Sequence, residues 1–128
     1  MDLLDPLGEA LRAELLGWPG LELRPMMGTL AFFHGKAMLG CYVHRGRFKK
    51  TPPKWAPGPE EPPFVWIRLS AVARARALRN PLVKESGTAA VKRWVQVSLG
   101  SRAALEQAVR WLGEAYEAAR AGRSHQQA

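Results

Sequence analysis

Between Pro25 and Val43 the chain reads Pro-Met-Met-Gly-Thr-Leu-Ala-Phe-Phe-His-Gly-Lys-Ala-Met-Leu-Gly-Cys-Tyr-Val. Two apolar runs flank a His34-Gly35 pair, and a short loop ending in glycine between such runs is a strong signal for an antiparallel hairpin. A hairpin here commits the chain to an antiparallel sheet, and its register decides which side chains enter the core. Taking His34 and Gly35 as the loop residues sets Phe33 opposite Lys36, Phe32 opposite Ala37 and Leu30 opposite Leu39. One face is then Leu30, Phe32, Ala37, Leu39, Cys41 and Val43, the expected core side. The other is Thr29, Ala31, Phe33, Lys36, Met38, Gly40, Tyr42 and His44.

Helices are signalled on both sides of this hairpin. Asp5-Pro6 supplies a capping carboxylate and a proline suited to the first helical position, and Leu7, Ala10, Leu11 and Leu15 follow at helical spacing. Gly17-Trp18-Pro19-Gly20 stops that helix, and Leu21 to Arg24 reads as a short extended lead-in to the hairpin. Val65, Ile67 and Leu69 alternate with Phe64, Trp66 and Arg68, which predicts a strand over 64–69. Ser70 caps an arginine-rich helix reaching about Arg79, ended by Asn80-Pro81. Leu82 to Gly87 is a weak strand or a loop. Val91 to Leu99 is a better strand, with Arg93 breaking its alternation as a bulge or an edge position would. Ser101 caps the last helix, whose stripe is Leu105, Ala108, Val109, Leu112, Tyr116 and Ala119.

From Arg45 to Pro63 the composition changes. Arg45, Arg47, Lys49, Lys50 and Lys54 come first, and Pro52, Pro53, Pro57, Pro59, Pro62 and Pro63 punctuate the rest. Prolines at this density forbid a helix interior or a central strand. The segment reads as a long exposed loop, basic at its start and acidic at Glu60-Glu61. The expected organisation is one domain over 1–121 with this loop at 45–63, followed by a polar tail, 122–128. Its class is α+β, a two-layer sandwich of an antiparallel sheet with helices on one face.

These elements, with their marking residues, resemble the N-terminal domain of the TfoX/Sxy competence-regulator family. The likeness rests on Pro19-Gly20, then Arg24, Met26, Met27 and Gly28, then His34-Gly35 and Ala37-Met38-Leu39. It continues through Val65-Trp66-Ile67-Arg68, Arg93-Trp94-Val95-Gln96-Val97, Ser101 and Trp111. YjbR-type proteins look similar at this level. Met27 stands where the TfoX family usually has phenylalanine, and the proline-rich loop is longer and more basic than the family pattern. The resemblance implies an α-β3-α-β2-α sandwich and a regulatory role exerted through transcription, with no catalytic residues to carry over.

The residues themselves argue against several chemistries. His34, His44 and His125 have no Asp or Glu at metal-ligand spacing, and no His-Glu-x-x-His pattern occurs. The glycine-containing segments lack a Walker or dinucleotide pattern. Cys41, the one cysteine, is expected to be an inert buried thiol on the core side. The expectation is therefore a non-enzymatic protein with no cofactor and no metal. No basic leader precedes an apolar run, and no apolar stretch nears the roughly 20 residues of a membrane span. With a lone cysteine suited to a reducing compartment, this predicts a cytoplasmic protein.

Two surfaces stand out. The formal net charge of +8 favours polyanions, although an arginine-rich composition also serves solubility alone. In the basic loop segment, Phe48 and Trp55 lie among Arg45, Arg47, Lys49, Lys50 and Lys54, a mixture able to neutralise phosphates and to stack. The second surface is the outward sheet face: Phe33, Met38, Tyr42, Phe64, Trp66 and Trp94 beside Lys36, His44, Arg68, Lys92 and Gln96. An exposed face of this kind requires cover. A second subunit or a displaced helix is the first reading, stacking of unpaired bases the second, and the long loop folding back over it the third. The function expected is regulation through protein contacts. Direct nucleic-acid binding is the alternative, and a small-molecule or enzyme site in a cleft beneath the loop is the third.

Overall fold

The structure, a computed structural model, describes residues 5–86 and 94–122. Among the described residues, three helices and a six-stranded sheet follow one another as α1 (Pro6–Leu16), β1 (Leu21–Met26), β2 (Thr29–His34), β3 (Ala37–Val43), β4 (Phe64–Arg68), α2 (Ala71–Ala77), β5 (Lys84–Glu85), β6 (Trp94–Ser98) and α3 (Arg102–Arg120). Every neighbouring strand pair is antiparallel, in the order β1-β2-β3-β4-β6-β5. All three helices contribute to one core cluster on one side of the sheet. This is the α+β two-layer arrangement that the hydrophobic periodicities predict. Four strands precede α2 rather than three, because Leu21–Met26 is a full edge strand paired along β2 and not a short lead-in.

The helix starts follow from local chemistry. The Asp5 carboxylate accepts from the Gly8 amide at 2.7 Å, the Ser70 hydroxyl from Ala73 at 3.2 Å, and the Ser101 hydroxyl from Ala104 at 3.1 Å. Each satisfies an amide that the first helical turn leaves without a partner. In α3 the stripe of Leu105, Ala108, Leu112 and Tyr116 is buried, and Trp111 joins it at 2% exposure. Val109 and Ala119 pack only at its margin.

The hairpin departs from the expected register. His34 pairs with Ala37 and Phe33 with Met38, so Gly35 and Lys36 are the loop residues. Gly35 has φ 62° and no positive φ follows at Lys36, the pattern of a type II′ turn with glycine first. Register then slips again: Phe32 pairs with Gly40, leaving Leu39 as the extra residue of a β-bulge. The bulge keeps Leu39 with Leu30 and Phe32 on the helical side but turns Cys41 and Val43 to the opposite face and Tyr42 inward. The physical reason is the approach of β4. A side chain at Gly40 would drive into the Trp66 carbonyl oxygen, so only glycine lets the two strands close at this point.

Two hydrophobic clusters result, one on each side of the sheet. The larger holds Leu11, Leu15, Leu30, Phe32, Leu39, Tyr42, Val65, Ile67, Val95 and Val97 with the buried positions of α2 and α3. The smaller holds Ala31, Phe33, Cys41, Val43, Phe64 and Trp66, with Met38, Phe48, Trp55 and Trp94 packed against it. The expected irregularity at Arg93 lies outside the described residues.

Candidate functional site

The second cluster is where the proline-rich loop meets the sheet. The loop leaves β3 through a single 3₁₀ turn, Arg45–Arg47, whose first free amide, that of Gly46, donates to His44 Nδ1 at 3.0 Å. It then lays Phe48 and Trp55 over the outward face. The Trp55 ring sits 5.2 Å from Trp66 and 5.5 Å from Phe48, centroid to centroid, and Phe64 lies 5.3 Å from Trp66. Phe48 also fills the space above Gly28, where any side chain would collide with its ring. Arg45 reaches across the loop to the Pro57 carbonyl at 3.4 Å, and Pro57 and Pro63 are buried. The segment is thus partly a roof, not the wholly exposed loop that its prolines and cations suggest.

This roof changes what the outward face offers. Trp66 is 6% exposed, and its indole N–H donates to Gln96 Oε1 at 2.9 Å across the β4–β6 pair. Phe33, Phe64 and Trp66 are covered, while Trp94 and Arg68, paired across strands, stay half-buried at the margin. Tyr42 is not on this face at all. At 1% exposure it lies in the helical core and donates its hydroxyl to Asp5 Oδ1 at 2.9 Å. Burial first, and then the hydrogen bond and charge of Asp5, push its hydroxyl pKa up, with the charge of Arg47 among the effects acting the other way. Lys92 lies outside the described residues. Phe48 and Trp55 of the loop, the third of the expected covers, lie over part of this face.

Most cations of the loop face solvent. Arg45, Lys49, Lys50 and Lys54 are exposed and Arg47 is half-buried. None of the five pairs with a carboxylate among the described residues, and no acidic residue occurs between Arg45 and Pro59. Phe48 and Trp55, read from sequence as a stacking anchor for a ligand, are spent on holding the loop to the sheet. The signal for that role was present: two large aromatics in an otherwise polar, proline-rich segment have few places to go except a neighbouring apolar face.

The remaining chemistry-bearing side chains lie apart. His34 sits at the end of β2 with its ring 5.6 Å from Tyr116, and His44 caps the 3₁₀ turn. Cys41 is buried against the second cluster, and burial pushes its thiol up to about 12, with a hydrogen bond to Thr29 acting the other way. Among the described residues no group of three or more His, Cys, Asp or Glu side chains is placed to hold a metal ion, and no helix is long and apolar enough to cross a membrane. Phe48 and Trp55 pack beneath the loop against the second cluster. No family model, no curated protein and no solved structure matches the chain.

Proposed function

We propose that this chain is a non-enzymatic binding module that contacts the phosphate backbone of nucleic acid through the cations of the 45–54 segment. In this reading its biological role is regulatory, of the transcription-related kind implied by the TfoX N-terminal-domain resemblance. The observation that supports it is the pinned loop: Phe48 and Trp55 anchor to the sheet a run of five cations without an intervening carboxylate. Holding charges on a fixed backbone lowers the entropy lost when phosphates are engaged. Phosphate contacts of this sort position a protein on nucleic acid without reading its sequence, so broad specificity is expected.

Contact with a protein partner or a second copy through the sheet's aromatic face draws less support, since that face is already roofed by the chain's own side chains. The test is fluorescence anisotropy of labelled single- and double-stranded oligonucleotides at low salt, comparing the wild-type chain with the triple variant Lys49→Glu, Lys50→Glu, Lys54→Glu. The proposal expects saturable binding to at least one of them and its loss in the triple variant, with the circular dichroism spectrum unchanged. Absence of binding at low salt, or binding indifferent to charge reversal, would overturn it.

A further inference from the structure

We infer that the concave surface between the α1–β1 connection and α3, on the opposite side of the sheet from the basic loop, binds a small molecule that combines a planar aromatic ring with an anionic group. An open cleft of about 520 Å³ lies there, walled by Trp18, Pro19, Gly113 and Tyr116, with two arginines, Arg110 and Arg120, and two glutamates in its lining, within the size range of sites that take small ligands. Its aromatic wall is preorganised. The Trp18 indole N–H donates to Glu14 at 3.0 Å, and its ring lies 5.1 Å from that of Tyr116 at an angle of 44°. Tyr116 is fixed in turn, donating its hydroxyl to the Pro19 carbonyl with the His34 ring edge-on at 5.6 Å. A ring stacked on this wall orders little that is not ordered already.

Gly113 is the observation that the fold leaves unexplained. It stands in the middle of a 19-residue helix, where glycine is the least favourable residue after proline. A Cβ at this position would meet only Trp18 Cη2, at an ordinary 3.9 Å. Packing does not ask for glycine here, yet its absent side chain leaves the helix backbone bare on the cleft wall. Of the charges lining the cleft, one is left without a counterion among the described residues, and it sets the ligand's sign. Glu117 is engaged by Arg120 at 3.1 Å and Glu114 by Arg76 at 3.5 Å. Arg110 rests over Trp111 at 4.9 Å and pairs with no carboxylate among the described residues, which leaves a guanidinium free to take a carboxylate or a phosphate.

The Trp18 indole N–H resonance, followed by NMR, reads occupancy directly. The probes are indole-3-acetate against indole, and AMP against adenosine, each pair differing in the anionic group. The expected result is a saturable Trp18 shift by at least one charged probe, about tenfold tighter than its neutral counterpart; which pair responds distinguishes an aromatic carboxylate from a nucleotide. Gly113→Gln, which fills the cleft with a better helix former, is expected to weaken binding about tenfold or more without lowering the melting temperature. Arg110→Gln is expected to abolish the preference for the anion. No shift of Trp18 by any charged probe at millimolar concentration would overturn the inference, as would affinity unchanged in Gly113→Gln or equal for charged and neutral probes.

Discussion

Single residues carry strain and buried protons that can be measured. Met27 is the one non-glycine residue among those described with a positive φ, 50°, and it is 85% exposed. With Gly28 at φ 80° it forms the β1–β2 turn, a type I′ geometry that favours Asn-Gly. The left-handed region is unfavourable for a side chain such as methionine, and an exposed Met27 recovers nothing by packing. Met27→Asn is therefore expected to stabilise the chain by about 0.5–1 kcal/mol, seen as a higher melting temperature. Cys41 and Tyr42 give a second, pH-dependent expectation. Both keep their protons in the folded chain to higher pH than in the unfolded one, Cys41 from the ordinary 9.0 to about 12. The stability tied to these protons is complete below the unfolded values. It drains as pH rises through them, by up to ~1.4 kcal/mol per pH unit for each group. Urea melts across the alkaline range should show this decline in the wild type, and Tyr42→Phe should show a shallower decline above the ordinary tyrosine range.

At the scale of elements, the proline-rich segment behaves as a structural cover. Trp55→Ala removes the ring between Phe48 and Trp66, and it is expected to cost about 2 kcal/mol, less than a fully buried tryptophan because Trp55 is partly exposed. Denaturant melts measure that cost, and titration with oligonucleotide at low salt should show weaker binding although every cation is retained. How far these elements could be read in advance depended on how local their causes are. Asp5, Ser70 and Ser101 each bond an amide three residues on, so the helix starts were legible from neighbouring residues alone. The hairpin's existence was legible for the same reason, but not its register. His34-Gly35 and Gly35-Lys36 are both two-residue loops containing glycine, and the choice is settled by pairing along the whole strand. The bulge at Leu39 was beyond local reading because its cause, the backbone of Trp66 against Gly40, is more than twenty residues away in sequence. That one slip moved Tyr42 from the expected contact surface into the core. Arg45, Lys49, Lys50 and Lys54, by contrast, lie exposed on the loop where composition put them, because a charged head stays in water even where its apolar stem is covered.

On the scale of the whole molecule, the sheet separates two different surroundings. Helices cover one side, and a short cationic segment pinned by its own aromatics covers part of the other. In the proposed reading, the net charge of +8 supplies a long-range attraction for polyanions, and the loop would supply the close contacts. A general attraction and a specific contact surface differ in their response to salt. If Lys49, Lys50 and Lys54 each engage a phosphate, changing all three to alanine removes about three released counterions per complex. The most direct measurement is the dependence of the association constant on salt concentration for a short oligonucleotide, in the wild type and in that triple alanine variant. The proposal predicts a steep linear fall of log K with log salt for the wild type, and a slope shallower by about 2–3 in the variant. Equal slopes for the two proteins would contradict it.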